Sequence, residues 1–203
     1  LDVHSEEWPA VIWSFFYFFF LLSAYYVLRP VRDEMGIQSG VKNLPQLFTY
    51  TFLGMLTLVP IFGLAASRWP RPVLVPAVYL FFVLHLVGFF VAMRAFPSSA
   101  TVAKCFFVWL SVFNYFVVSV FWSFMADIFA TEQAKRVFSL ISAGGAIGAL
   151  AGPTITALLV HRIGIANLLL VSALLLGMSV VCILRLSSWA QERAKGKART
   201  EAA

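Results

Sequence analysis

Arg29, Arg32, Asp33 and Glu34 place four charges within six residues, directly after a stretch, residues 9–28, that carries none. On a helix Asp33 lies four residues after Arg29 and faces it. Glu34 is two residues after Arg32 and does not, so Arg32 is expected to be a cation without a local partner. The planar guanidinium fork can hold two phosphate or carboxylate oxygens at once. An unpartnered arginine in a protein-lined cavity within a membrane therefore points to an anionic ligand. The plainer alternative has the uncharged stretch span roughly 30 Å as a helix, the whole hydrocarbon core. Arg29 is then a headgroup anchor and Pro30 marks the helix end.

Two further patterns lie downstream. Ser111, Tyr115, Ser119, Ser123 and Asp127 follow one another at four-residue spacing, with Asn114 beside the start. On a helix this is a slanting polar stripe, which in a bilayer must face protein or water. It either bonds to neighbouring helices or lines a solute path, and Asn114, Tyr115 and Ser119 are the candidate contacts. Gly144, Gly148 and Gly152 repeat at the same spacing, with Gly145 beside them and Pro153 following. Small residues so placed let two helices approach closely, and a close contact followed by a proline can also rock. His85, inside an apolar run, is expected to bond to a neighbouring helix rather than relay protons.

The elements that must position these residues are membrane spans. Of 203 residues, 61% are hydrophobic and 12% charged, and the mean hydropathy is +0.89. Soluble domains carry about twice that charged fraction. Six runs, residues 9–28, 44–67, 73–93, 105–126, 137–160 and 163–184, exceed the roughly 18 residues that flag a spanning helix. Period-two alternation is missing, which excludes a barrel. The expected fold is therefore an all-α membrane protein: a six-helix bundle over residues 1–186, then a basic tail or linker over 187–203.

The net charge of +6 does not imply nucleic acid, because the basic residues sit in the gaps between runs. With the N-terminus inside, Arg68, Arg71, Lys135, Arg136, Arg185, Arg193, Lys195, Lys197 and Arg199 fall on the cytoplasmic side. Arg29, Arg32, Lys42, Arg94, Lys104 and Arg162 fall outside, a bias that favours two cytoplasmic termini. Trp8, Trp69 and Trp189 fall at the cytoplasmic edge. Thr131 reads as the cap of the fifth helix, and His161 and Arg162 as the turn of a tight antiparallel hairpin between the fifth and sixth. The two cysteines, Cys105 and Cys182, have neither disulfide nor metal spacing. Metalloprotease, nucleophile-elbow and Walker signatures are absent, so no enzyme, metal or cofactor is expected, and transport would have to use a gradient or exchange. Leu1 in place of Met predicts that the natural N-terminus lies upstream.

Three segments resemble known transporters. Gly63, Arg68 and Arg71 resemble the loop signature of the major facilitator superfamily, a glycine, an Asp-Arg pair and a Gly-Arg pair, with Ser67 replacing the aspartate and Pro70 the second glycine. Gly148, Gly152 and Pro153 resemble the helix-five motif of its antiporters, without the closing glycine pair. Tyr26 to Asp33 resembles the end of helix one in the ATP/ADP antiporters, the nucleotide translocases of plastids and intracellular bacteria, with Arg32 and Asp33 at the place of a Lys-Asp pair. Phe121, Trp122 and Phe124, then Glu132 to Arg136, are similar to that family's passage from helix four to helix five. The resemblance implies the N-terminal half of a facilitator-type secondary transporter in a bacterial inner (plasma) membrane. It implies exchange of an anionic solute such as a nucleotide by alternating access, with Arg29 and Arg32 near the phosphates. Its partners would be the lipid bilayer, the solute and a second six-helix half, covalent or separate. The alternatives are a facilitator-type transporter of a neutral or cationic small molecule, or a non-transporting six-helix subunit.

Overall fold

In a hydrocarbon solvent every backbone N–H and C=O must be bonded within its own segment, so long apolar runs become helices. The computed structural model describes residues 7–201, without the side chains of Thr131, Ala194 and residues 196–201. Among the described residues there are six α-helices and no strand: α1 (Trp8–Gln38), α2 (Leu44–Arg68), α3 (Arg71–Ala95), α4 (Ala100–Ile128), α5 (Thr131–Ile163) and α6 (Ile165–Glu201). Each is long and apolar enough to cross a membrane. The chain is an all-α integral membrane protein.

Three local expectations are corrected. Pro30 does not end the first helix, which continues to Gln38. The proline removes the donor to the Tyr26 carbonyl, and membrane helices tolerate this where neighbouring hydroxyls supply bonds. Here Thr156 Oγ, from α5, donates to the adjacent Val27 carbonyl at 3.0 Å. The cap of α5 falls on Ala130, because the helix already begins at Thr131. The Ala130 N–H is bonded at 3.1 Å by the side chain of Gln133. The turn between α5 and α6 is the single residue Gly164, at φ +78°, where a side chain would be strained. Yet the two helices diverge from it, and both lie along α1 instead of along each other.

Neighbouring residues give the helix directions. We call the end where α1 starts the near end and the opposite one the far end. α1 and α5 run parallel, as do α2 and α4; α1 and α4 are antiparallel, with Phe18 on Phe121 and Arg32 over Phe107. The first three helices barely touch one another in sequence order. α1 packs on α5 and α6, α4 packs on α2 and α3, and α3 packs on α6. Exchanging α1–α3 with α4–α6 leaves this pattern of pairs unchanged, and the two triads start from opposite ends. At the centre, Tyr17 Oη donates to Tyr79 Oη at 2.6 Å and Tyr79 Oη donates to the Val117 carbonyl at 3.0 Å. This chain of bonds pins α1, α3 and α4 in a core of aromatic rings packed edge to face.

Candidate functional site: one face of the bundle

The glycines of α5 meet the backbone of α1. A Cβ on Gly144 would lie 2.5 Å from the Phe15 carbonyl oxygen, and one on Gly148 would overlap the Phe19 carbonyl oxygen. One on Gly152 would lie 2.9 Å from the Ser23 carbonyl oxygen, and one on Gly145 would run into the Phe18 ring. Thr156 continues the series against Val27, 129 residues away in sequence, and the same separation holds at every rung back to Glu7 and Arg136. Ser23 Oγ donates to the Gly148 carbonyl at 3.3 Å, so hydroxyls cross the seam in both directions. Glu7 is buried at the near end, where it accepts from Gln133 at 2.7 Å and Arg136 at 3.5 Å. Ser23, Thr156 and Glu7 were missed in the sequence. Only Thr156 carried a signal, four residues after Gly152.

At 100° per residue, the residues of α1 that touch α4 (Phe18, Arg32) and those that touch α5 (Phe19, Tyr26) border a strip containing Leu22, Arg29 and Asp33. On α4, the strip between its contacts with α1 and those with α2 contains Ser111, Tyr115 and Ser119. Behind them, Tyr79 of α3 bonds to Tyr17 of α1 and to the Val117 carbonyl of α4, on the sides of those helices turned away from the strips. The two strips therefore share one face of the bundle, crossed in the order α2, α4, α1, α5.

Tyr115 and Ser119 are exposed on this face and Asn114 is half-buried beside them; no hydrogen bond joins Tyr115 or Ser119 to another described residue. Ser111 bonds back to the Phe107 carbonyl at 2.9 Å in its own helix. The near-end members of the stripe are used differently. Arg71, at the start of α3, donates to Ser123 and pairs with Asp127 at 3.1 Å. The loop between α2 and α3 is thus tied through Arg71 to a carboxylate on α4. Arg68 is exposed, and nothing lies within 4 Å of a Cβ on Gly63. Pro153 is exposed on α5.

The opening charges are arranged otherwise than expected. Asp33 pairs with Arg32, not with Arg29: Arg32 Nη2 donates to Asp33 Oδ1 at 2.7 Å and Nε at 3.0 Å. The guanidinium also lies over the Phe107 ring, 5.1 Å from its centroid. Arg32 is therefore the held cation. Arg29 is exposed, rests over the ring of Tyr26 at 5.6 Å, and makes no ion pair with a described carboxylate. Depth follows from the α1–α5 register. Arg32 is level with His161, in the far charged layer that also holds Lys104 and Arg162. Arg29 lies three residues, about 4.5 Å, closer to the middle.

His85 bonds through Nδ1 to the Phe81 carbonyl of its own helix at 2.8 Å, while its ring stacks on Trp109 of α4. The expected bond to a neighbouring helix is not made. Among the described residues no cluster of His, Cys, Asp or Glu could hold a metal ion. Comparison of the chain with protein-family models, with curated proteins and with solved structures returns no match.

Proposed function

We propose that this chain is one half of a facilitator-type secondary transporter, and that an anionic solute such as a nucleotide moves along the face formed by α2, α4, α1 and α5. The observation that carries this reading is the uncovered polar pair Tyr115 and Ser119, with half-buried Asn114 beside them, on the same face as the unpaired Arg29. Polar side chains are unfavourable against lipid, so such a face requires a second polypeptide half or water. A second half laid over it gives both, with the path between them. Two triads of opposite orientation that interlock by the same pairs fit the inverted repeats of such transporters. The solute class rests on the resemblance of the opening stretch to nucleotide translocases and on Arg29. In this reading Arg29 is the cation the solute meets, and Arg32, held by Asp33 and Phe107, supplies fixed positive charge behind it.

The test is uptake of labelled ADP against internal ATP into sealed vesicles carrying the protein with its second half. Arg29→Gln should weaken solute affinity roughly ten- to a hundredfold, the equivalent of one charged hydrogen bond of about 1.5–3 kcal/mol. Arg29→Lys should recover part of it. Normal insertion with unchanged affinity in Arg29→Gln would remove the anion from the proposal. A neutral solute is the second reading, favoured by the uncharged character of the α4 strip. It predicts that Asn114→Ala and Tyr115→Phe reduce transport while Arg29→Gln does not.

A further inference from the structure

α2 and α3 are joined by only Trp69 and Pro70, yet they separate at once. Between them, against the side of α4 turned away from Tyr115, lies a cleft of about 430 Å³. Its walls include Leu58 and Phe62 of α2, Phe82 of α3, and Trp109 and Phe116 of α4, and every lining side chain is apolar or aromatic. The lining begins at Leu58, ten residues or about 15 Å of helix before α2 ends at Arg68, with Trp69 just beyond that end; this is close to half of the roughly 30 Å hydrocarbon layer. The cleft thus begins at the near end and stops at mid-membrane, against Phe82 and Trp109. A transmembrane helix would need both halves of the bilayer. A lipid chain needs one.

The mouth of the cleft has a chemistry of its own. Trp69 is on its lip, and Arg68 next to it is exposed and makes no ion pair with a described carboxylate. Arg71, across the loop, is already bound to Asp127. An indole at the interface and a free guanidinium beside it match a glycerol ester and a phosphate. The near end also carries most of the chain's Lys and Arg, the side that faces the anionic leaflet in most membranes.

We propose that the cleft between α2 and α3 is a binding site for one anionic phospholipid of the near-end leaflet, with an acyl chain between the helices and the phosphate on Arg68. The lipid fills a gap that the protein leaves in its own packing, and so holds α2, of which only Leu47 and Thr51 are buried, against the rest of the bundle.

Native mass spectrometry of the whole chain in mild detergent tests this, with phosphatidylglycerol and phosphatidylcholine of identical acyl chains added in turn. One phosphatidylglycerol should be retained, and phosphatidylcholine should be held about fivefold more weakly, the scale of one basic residue at an anionic surface. Ala77→Phe, which fills the cleft, should abolish retention. Arg68→Gln, at an exposed position, should fold normally and reduce phosphatidylglycerol to the level of phosphatidylcholine. Equal retention of the two lipids by the unmodified chain overturns the proposal. So does retention unaffected by either variant, or a second copy of the chain held in place of lipid.

Discussion

Gly148→Ala is the sharpest probe of the packing between α1 and α5. The added methyl group would overlap the Phe19 carbonyl oxygen, which belongs to backbone and cannot rotate away. The helices must separate, and overpacking of this kind costs about 1–3 kcal/mol. Separation also stretches the bonds from Ser23 to the Gly148 carbonyl and from Thr156 to the Val27 carbonyl. Interhelical bonds in membranes are worth about 0.6 kcal/mol each, so the expected loss is roughly 2–4 kcal/mol. Gly88→Ala is the reference, since nothing lies within 4 Å of a Cβ there. It should stay within about 1 kcal/mol of the unmodified chain. Unfolding in mixed micelles of increasing dodecyl sulfate fraction, followed by tryptophan fluorescence, measures both. Equal midpoints for the two variants would refute the backbone contact.

Other outcomes follow from single contacts. Tyr79→Phe should destabilise more than Tyr17→Phe, because it strands the buried Tyr17 hydroxyl, whereas Tyr79 keeps the Val117 carbonyl as acceptor. The difference should be about 1–3 kcal/mol in the same unfolding assay, and the double variant should recover part of it. Asp33→Asn should free Arg32 while leaving insertion normal, since an exposed pair is worth only about 0–1 kcal/mol; protease resistance of the membrane-inserted chain reads this. Single cysteines at Ser98 and Thr200, in a chain lacking Cys105 and Cys182, should label from opposite sides of sealed vesicles. Labelling of both from one side would end the six-span topology.

The six spans were legible because span length is a property of consecutive residues: an apolar run either covers the bilayer or does not. The glycine ladder of α5 was legible for a related reason, since its period is that of the helix itself. Its partner was not. Nothing near Gly148 in sequence indicates Phe19, and α5 and α6, adjacent in the chain, both pack on α1. The opening charges failed for a different reason. Spacing sets which side chains can meet on a helix, but Arg32 reaches its immediate neighbour Asp33 by folding back, with the Phe107 ring from α4 beneath it. That ring is a tertiary fact. Pro30 misled in the same way, as a local stop signal overridden by a helix held from Trp8 to Gln38 by its neighbours. The polar stripe of α4 split in two, one part tied to Arg71 and one left open. The four-residue spacing was uniform and gave no sign of the division.

The constant separation of 129 residues between facing positions on α1 and α5 also has a meaning in time. A chain emerges from the ribosome at about 5–20 residues per second, so α1 enters the membrane roughly 6–26 s before the helix it fits. For that interval its contact strip, with the Ser23 hydroxyl in the middle, lies against lipid or against the insertion machinery. Phe121 on α4 is synthesised earlier and can hold Phe18 meanwhile. The native seat of the first helix is therefore filled late in biosynthesis, and a ribosome stalled before Gly144 would leave α1 inserted but unseated.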